Sequence, residues 1–262
     1  MGVLDGMVAV VTGSSSGIGR STAELFAAEG AALVVNSVRS VDAGRALADS
    51  LPDAVYVRAD VSIEDKARSL VDAAVERWGR LDIVVNNAGY ADMVDHRDLQ
   101  GLTDEIWNRN LGLNLMSAWY VSRAAIPVMQ KVGGGSITNI TSLAGVHPTG
   151  SGSCIAYAVA KAAVNHLTVL LANAFGPDGI RVNALAVGPI ETPMWNMARN
   201  KTRSSIKANT LLGRPGAARG GRPLLPDDGR ARLRHGPGGR RGRRHAVPGA
   251  AVTALIACMG ER

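Results

Sequence analysis

Cysteine is scarce in this chain, and long apolar runs are missing from it. The 262 residues include two cysteines, Cys154 and Cys258. Two cysteines make no disulfide framework and their spacing fits no metal site, so we expect free thiols in a reducing compartment. No apolar run approaches the roughly 20 residues that a membrane span needs, and the N-terminus lacks the basic and apolar stretches of a signal peptide. The sequence thus predicts a cytoplasmic protein with no metal site and no membrane partner.

Lysine is absent from the segment Arg214–His245, and acids are rare in it. The segment contains ten Arg and two acids, a net charge of +8, whereas the whole chain carries +7. The basic balance therefore belongs to this segment and not to the rest of the molecule. One interpretation is a nucleic-acid-binding arm. Because the segment lacks the interleaved aromatic side chains of such arms, we expect no nucleic-acid partner.

Short apolar runs alternate with helix-like segments from Met7 to about Ile190. Six runs are almost continuously apolar, which is typical of strands buried on both faces: Val8–Val11, Ala32–Asn36, Ala54–Arg58, Ile83–Val85, Gly135–Ile140 and Arg181–Ala186. Helical periodicity marks the segments between them, such as Arg20–Glu29, Ile63–Trp78 and Tyr157–Phe175. This alternation predicts an α/β fold, a single Rossmann-type doubly wound parallel sheet in three layers.

A glycine-rich turn joins the first strand to the first helix. Glycines permit a tight turn and a close approach of the backbone to a pyrophosphate, and the helix N-terminus offers unpaired N–H groups. Glycine spacing alone is weak evidence, but its position between strand and helix strengthens it. We predict a dinucleotide site formed by Gly13, Ser15, Ser16, Gly17, Ile18 and Gly19.

The end of the second strand bears on the choice of cofactor. An acid near this position would bind the ribose 2′-hydroxyl of NAD, yet no acid occurs until Asp42. Arg39 is suited to a 2′-phosphate, with support from the Ser37 hydroxyl. We therefore expect NADP, while NAD without the acid, and a solvated Arg39, remain alternatives.

Three residues form a candidate catalytic set. Tyr157 and Lys161 are four residues apart, which puts both on one face of a helix. A phenol with a pKa near 10 is a poor acid–base group at neutral pH, and a neighbouring ammonium and a cationic nicotinamide favour its ionised form. Tyr157 then exchanges a proton with an alcohol or carbonyl oxygen, Ser142 steadies the charge on that oxygen, and Lys161 holds the nicotinamide ribose.

These motifs, in this order, resemble those of the short-chain dehydrogenase/reductase family. The resemblance covers roughly residues 1–216 and implies transfer of a hydride between a nicotinamide dinucleotide and a secondary alcohol or ketone. Members with similar motifs include 3-oxoacyl-carrier-protein reductases and sugar or steroid dehydrogenases, and the sequence does not choose among them. The Ser142–Tyr157 interval is about two residues longer than usual. We expect this difference to affect substrate specificity.

The resemblance assigns roles to further residues. Asp60, followed by Val61, implies an adenine contact, although an Asp here equally fits a cap of the next helix. Asn114 implies a kinked helix and an anchor for a water relay, which Asn108 and Asn110 fit less well. For six further residues the resemblance implies contacts beneath the cofactor, at its carboxamide or on its phosphates: Asn87, Ala88, Gly89, Pro189, Ile190 and Thr192.

The resemblance ends near Gly216, before three motifs that the family places later. Joining the last two bases of each codon to the first base of the next can restore all three in order. Ala218–Pro223 can then encode Pro-Glu-Glu-Val-Ala, His235-Gly236 can encode Thr-Gly, and Arg241–His245 can encode Val-Asp-Gly-Gly. We hypothesise that the residues from about Ala217 onward come from a shifted reading frame, in the gene or in its sequencing.

The sequence therefore predicts a catalytic domain at residues 1–216 and an irregular basic tail at 217–262. If the tail is genuine, the strand and helix that close the sheet in this family are lost. The family resemblance also implies a homodimer or homotetramer, whose interface uses those elements. The alternative function is a pseudoenzyme that holds the dinucleotide without turnover.

Overall fold

One parallel sheet of six strands organises the part of the chain that the structure describes. This computed structural model describes residues 2–92, 94–147, 155–194, 204 and 215–218. The strands are β1 Val8–Val11, β2 Ala32–Ser37, β3 Ala54–Arg58, β4 Ile83–Asn86, β5 Gly135–Ser142 and β6 Ile180–Val187. They lie in the order β3-β2-β1-β4-β5-β6, and each neighbouring pair is parallel. The predicted doubly wound sheet is confirmed, and each predicted strand lies within two residues of its observed ends.

Helices cover both faces of this sheet. They are α1 Gly17–Ala28, α2 Val41–Ser50, α3 Glu64–Trp78, α4 Asp104–Leu111, α5 Ser117–Lys131 and α6 Ile155–Phe175. Two separate apolar clusters fill the spaces between the layers. One includes Val10 of β1 with residues of α3 and α5, and the other includes Val11 of the same strand with residues of α1 and α2. Successive side chains of a strand point to opposite faces, so one strand feeds both clusters.

Burial follows the position of each strand in the sheet. Every residue of β1 and β4 is buried, because both strands have neighbours on each side and helices above and below. The edge strands β3 and β6 keep partly exposed side chains. This explains why the central strands are continuous apolar runs in the sequence.

A π-helical turn joins α4 to α5. It covers Gly112–Met116 and contains the buried Asn114. Such turns insert one extra residue into a helix and are frequent at functional sites. This π-helical turn lies at the position where the resemblance implied a kink at Asn114.

A second, two-stranded sheet lies after β6. Strand β7, Ile190–Glu191, pairs in parallel with β8, Gly216–Ala217. Ala217 therefore extends the regular structure one residue beyond the predicted end of the domain. The predicted tail beyond Ala218 lies outside the described residues, as do residues 148–154 of the long Ser142–Tyr157 interval.

Helix α6 with its following turn, Ile155–Asp178, is long and apolar enough to cross a membrane by length and composition alone. The core helix of a globular domain meets the same criterion. Here α6 packs against β5 and β6 and buries Lys161 and Thr168. We interpret it as a helix of the sheet's outer layer.

Candidate active site

The strand order reverses between β1 and β4, so the loops that follow these strands diverge. Ligands of open α/β sheets bind in the crevice that forms at such a point, beyond the carboxyl ends of the strands. The glycine turn follows β1, Asn87–Gly89 follows β4, and Ser142 ends the neighbouring β5. The fold therefore brings the predicted cofactor and catalytic residues together at the carboxyl ends of the strands.

Thr12 and Asn87 fasten the glycine turn to the loop after β4. The Thr12 hydroxyl accepts the N–H groups of Asn87 (3.0 Å) and Ala88 (2.9 Å). In return, the Asn87 amide donates to the carbonyls of Thr12 and Gly13. A Cβ atom on Gly19 would lie 2.4 Å from Asn87 Nδ2 and 2.6 Å from the Gly13 oxygen. Glycine is therefore the residue that fits between these two loops.

The beginning of α1 fits an anionic group. Ser16 caps the helix without a side-chain hydrogen bond, and the first turn holds no acidic residue. The N–H groups of a first helical turn have no intrahelical partners, and the dipole there favours negative charge. Gly13 and Gly17 adopt φ angles of +62° and +57°, a backbone conformation that brings the turn close to a ligand at little steric cost. This cradle has the geometry and the polarity that a pyrophosphate requires.

The β7 segment covers one side of this cradle. A Cβ on Gly17 would lie 3.1 Å from Thr192 Cγ2, so Thr192 sits directly against the glycine turn. Pro189 accepts the N–H of Gly216, which ties the segment to β8. A cleft of about 350 Å³ opens here, beside the phosphate cradle. Its lining comprises Gly17, Arg20, Ser21, Glu191, Thr192, Pro193, Ala217 and Ala218.

Asn36 and Ser37 at the end of β2 are both turned into the protein. The Asn36 amide donates to the carbonyls of Val57 and Ala59. The Ser37 hydroxyl donates to the Ser40 carbonyl (2.9 Å) and lies 2.9 Å from the Tyr56 phenol. A hydroxyl has one proton to donate. This geometry argues against Ser37 as the donor to a 2′-phosphate that the sequence suggested.

Asp60 and Val61 lie in the turn between β3 and α3, where the sequence left open whether Asp60 caps the helix. The Asp60 carboxylate accepts the N–H (3.0 Å) and the hydroxyl (2.6 Å) of Ser62. Helix α3 is capped by Ile63, so Asp60 holds the turn before the helix and does not cap it. Val61 is 2% exposed within an apolar cluster, which leaves its backbone to contact a ligand.

Ser142, Tyr157 and Lys161 come together where β5 ends against α6. Ser142 Oγ accepts the N–H of Ala144, and the Tyr157 phenol lies close enough to Ser142 for this hydroxyl to affect its pKa. Lys161 Nζ donates to the Ile140 carbonyl at 2.9 Å and lies 5.8 Å from the centre of the Tyr157 ring. The predicted catalytic set is thus a spatial cluster, although its members come from two elements.

Burial changes the acidity of both ionisable members of this cluster. It raises the pKa of Tyr157 above its usual 10, and the hydrogen bond from Ser142 offsets only part of that rise. Burial also lowers the pKa of Lys161 from 10.5 to about 8. In each case removal from water disfavours the charged form. The phenol is therefore neutral at physiological pH in the chain alone.

Asn114 links the π-helical turn to the loop after β4. Its amide nitrogen donates to the carbonyls of Tyr90 (2.8 Å) and Asn110 (2.9 Å), and its oxygen accepts the Tyr90 N–H. A Cβ on Gly89 would lie 2.7 Å from Asn114 Oδ1 and 3.4 Å from Lys161 Nζ. Both polar atoms therefore border the small space that Gly89 leaves open.

Several residues that build the site are not among the predicted site residues. Thr12 and Asn36 tie the loops together, and a network runs from Asn86 Nδ2 to Asn139 Oδ1 (2.8 Å) and from Asn139 Nδ2 to Thr168 Oγ1 (2.9 Å). A usable signal existed, because Thr12, Asn36 and Asn86 are polar residues at the carboxyl ends of apolar strands. Buried polar residues at those ends are retained only if they are hydrogen-bonded.

Comparison with known proteins decides the family. A family model described as enoyl-(acyl carrier protein) reductase matches residues 13–220. A putative ketoacyl reductase of the granaticin polyketide synthase of Streptomyces violaceoruber is 53% identical over 186 residues, 71% of this chain and 74% of that protein. The chain belongs to the short-chain dehydrogenase/reductase family.

Other members extend this relationship. The 3-oxoacyl-acyl-carrier-protein reductase of Thermotoga maritima is 36% identical to this short-chain dehydrogenase/reductase over 219 residues, 81% of this chain and 86% of that protein. The solved structure of a 7α-hydroxysteroid dehydrogenase, in complex with NADH and a 7-oxo bile acid, superposes with a TM-score of 0.73. It is 32% identical and covers 82% of this chain and 84% of its own.

This short-chain dehydrogenase/reductase is an NAD(P)-dependent oxidoreductase that acts on secondary alcohols or ketones. That conclusion confirms the activity predicted from the sequence. The comparisons give no support to the pseudoenzyme alternative. The roles of individual residues and the identity of the nicotinamide cofactor stay predictions.

Proposed function

We propose that the chain works as a ketone reductase in which Tyr157 donates the proton. The observation that carries this proposal is the cluster at the end of β5, where Lys161 Nζ lies 5.8 Å from the centre of the Tyr157 ring and removal from water raises the pKa of the phenol. A neutral phenol is an acid ready to protonate a carbonyl oxygen, whereas oxidation of an alcohol needs the ionised form. A bound nicotinamide supplies the hydride in this direction and accepts it in the reverse.

Ser142 and Lys161 support Tyr157 in different ways. Ser142 lies close enough to the phenol to affect its pKa, so a carbonyl oxygen placed at the phenol lies within reach of both hydroxyls. Two donors on one oxygen stabilise the charge that develops there. Lys161 Nζ uses one N–H on Ile140 and keeps two, which we assign to the nicotinamide ribose and to solvent.

Asn114 is the proposed anchor of the proton relay. Both N–H groups of its amide are used on backbone carbonyls, so its oxygen is the atom left to accept from a relay water. That oxygen faces the same small space at Gly89 as Lys161 Nζ. The proposed route for replacing the Tyr157 proton therefore runs past Lys161 toward Asn114.

The proposed cofactor contacts lie along the carboxyl ends of the strands. The turn from Gly13 to Gly19, with Ser15, Ser16 and Ile18, holds the pyrophosphate. Asp60 and the Val61 backbone hold the adenine, Asn87–Gly89 lie beneath the nicotinamide half, and Pro189, Ile190 and Thr192 close over it. Support comes from the start of α1, where no side chain caps the N–H groups, and from the contact of Thr192 with Gly17.

We propose NADP as the preferred cofactor. Arg39 is exposed just after β2, where a 2′-phosphate would lie. No acid lies between the end of β2 at Ser37 and Asp42 to bind a free 2′-hydroxyl. The related hydroxysteroid dehydrogenase has NADH bound, so this preference needs its own test.

The proposed substrate class is a ketone on a 3-oxoacyl or polyketide chain. Its support is the 53% identity to the granaticin putative ketoacyl reductase, which exceeds the 32% identity to the hydroxysteroid dehydrogenase. A cyclic steroid ketone is the second candidate, because the steroid-binding relative shares the fold over most of the chain.

The test is oxidation of NADPH and NADH at the nicotinamide absorbance with a 3-oxoacyl thioester, a bicyclic ketone and a 7-oxo bile acid. We expect turnover with NADPH and the thioester, and a kcat at least about 100-fold lower for Tyr157→Phe. Dinucleotide binding by fluorescence should be the same in both proteins. Unchanged turnover in the variant would remove Tyr157 from the mechanism, and turnover of the bile acid alone would favour the steroid reading.

We further infer a homo-oligomer, as a dimer or tetramer. Exposed and mostly apolar side chains form a stripe along α6, at Val159, Ala162, His166, Val169, Leu170 and Asn173. An apolar stripe of this kind is typical of a face that packs against another chain. Light scattering should give at least twice the chain mass, and a lower mass for Val169→Lys. A monomeric wild type would contradict this inference. The cytoplasmic location stays a prediction.

A further inference from the structure

A second arginine stands beside Arg39 at the edge of the sheet. We propose that Arg58 and Arg39 together bind the 2′-phosphate of NADP, and that Arg58 takes the supporting role first considered for Ser37. This inference rests on the proposed NADP preference and adds to it a residue that determines specificity.

The parallel register brings Arg58 to this position. Ser37, the last residue of β2, is paired with Arg58, the last residue of β3. Arg58 Nε donates to the Val38 carbonyl at 3.3 Å, and Val38 directly precedes Arg39 in the chain. The guanidinium of Arg58 is therefore held against the turn that carries Arg39.

Both guanidiniums are available to a ligand. Arg39 and Arg58 are exposed, and among the described residues neither forms an ion pair. The hydrogen bond from Arg58 to Val38 uses Nε, which leaves the four N–H donors of its two terminal nitrogens. The nearby Asp60 carboxylate is already engaged by Ser62.

The chemistry of a phosphate monoester matches this pair. Its oxygens accept several hydrogen bonds and carry close to two negative charges, and the planar fork of arginine fits them better than a single hydroxyl does. Since the Ser37 proton is donated to Ser40, donors must come from elsewhere. NAD carries a free hydroxyl and no phosphate at the 2′ position, so neither arginine should affect its binding strongly.

Calorimetric titration with 2′,5′-ADP and with 5′-AMP isolates this contact, because the two probes differ by the 2′-phosphate. The full chain, Arg58→Gln, Arg39→Gln and a control, Arg68→Gln, are compared. Arg68 is an exposed arginine on α3 that pairs with Asp65. We expect a roughly tenfold weaker affinity for 2′,5′-ADP in each site variant, the usual size of one lost charge-assisted hydrogen bond, and no change for 5′-AMP or in the control.

Steady-state kinetics give the second readout. In Arg58→Gln, kcat/KM for NADPH should fall about tenfold while kcat/KM for NADH stays the same, and Arg58→Lys should recover part of the loss. A wild type that binds both probes equally would overturn the NADP preference and this proposal together. A wild type that prefers 2′,5′-ADP, with the preference intact in Arg58→Gln, would overturn the role of Arg58 alone. An equal loss for both probes would mean that Arg58 only supports the fold.

Discussion

Tyr157 and Lys161 lie one turn apart on α6, and both are pushed toward their neutral forms. The pKa of Tyr157 is raised and that of Lys161 is lowered to about 8, in each case mainly by burial. Because a pKa of about 8 lies above neutral pH, Lys161 is mostly charged at pH 7, while Tyr157 is protonated. A protonated phenol next to a charged lysine can donate its proton to a carbonyl oxygen, as the proposed reduction requires.

The buried Lys161 should make the stability of the protein depend on pH. Between pH 8 and 10.5 the unfolded chain binds a proton that the folded chain has released, so the free energy of unfolding rises with pH in this window. The full effect of this one group is about 3 kcal/mol, and above pH 10 the raised pKa of Tyr157 opposes it. Urea unfolding at pH 7.5, 8.5 and 9.5 should show a rise that Lys161→Met lacks. Equal pH profiles in the two proteins would contradict this expectation.

At the scale of elements, the turn between β1 and α1 depends on the absence of a side chain at Gly19. In Gly19→Ala the new Cβ meets Asn87 Nδ2 and the Gly13 carbonyl, so the loops must separate. We expect a loss of about 1–3 kcal/mol in stability and at least tenfold weaker dinucleotide binding. Gly176→Ala is the matched control, since its Cβ meets no atom within 4 Å. Similar melting temperatures and affinities for both variants would show that the turn tolerates the change.

The strands and main helices could be predicted because their signal is local. Continuous apolar runs such as Val8–Val11 mark buried strands wherever they fall, and the Tyr157–Lys161 spacing fixes a shared helix face. The orientation of Ser37 could not be predicted in this way. It depends on Tyr56, which reaches it only through the pairing of β2 with β3. The approach of Arg58 to the same turn has the same origin, since strand register is not encoded in either strand alone.

For the whole molecule, stability depends on whether the C-terminal residues are translated in the correct reading frame. If the chain after about Ala217 is read out of frame, restoring the frame adds the strand and helix that close the sheet in this family. We expect the restored protein to melt at least about 5 °C higher, because 1 kcal/mol shifts the melting temperature of a domain of this size by about 2–4 °C. Peptide mass spectrometry of the native product reads residues 217–262 directly. Peptides that match the printed sequence, from a gene resequenced without a shift, would refute the hypothesis.

Strand β6 has a consequence for how the protein behaves in a crowded solution. It is eight residues long, it carries one charged side chain, Arg181, and among the described residues no strand pairs with its outer edge. The backbone groups of an uncovered edge can act as a template for any extended peptide. A segment that pairs with Ile180–Val187 can come from the chain's own C-terminal residues, from a second copy or from a foreign peptide. Which of these pairs first decides whether the protein stays dispersed or aggregates.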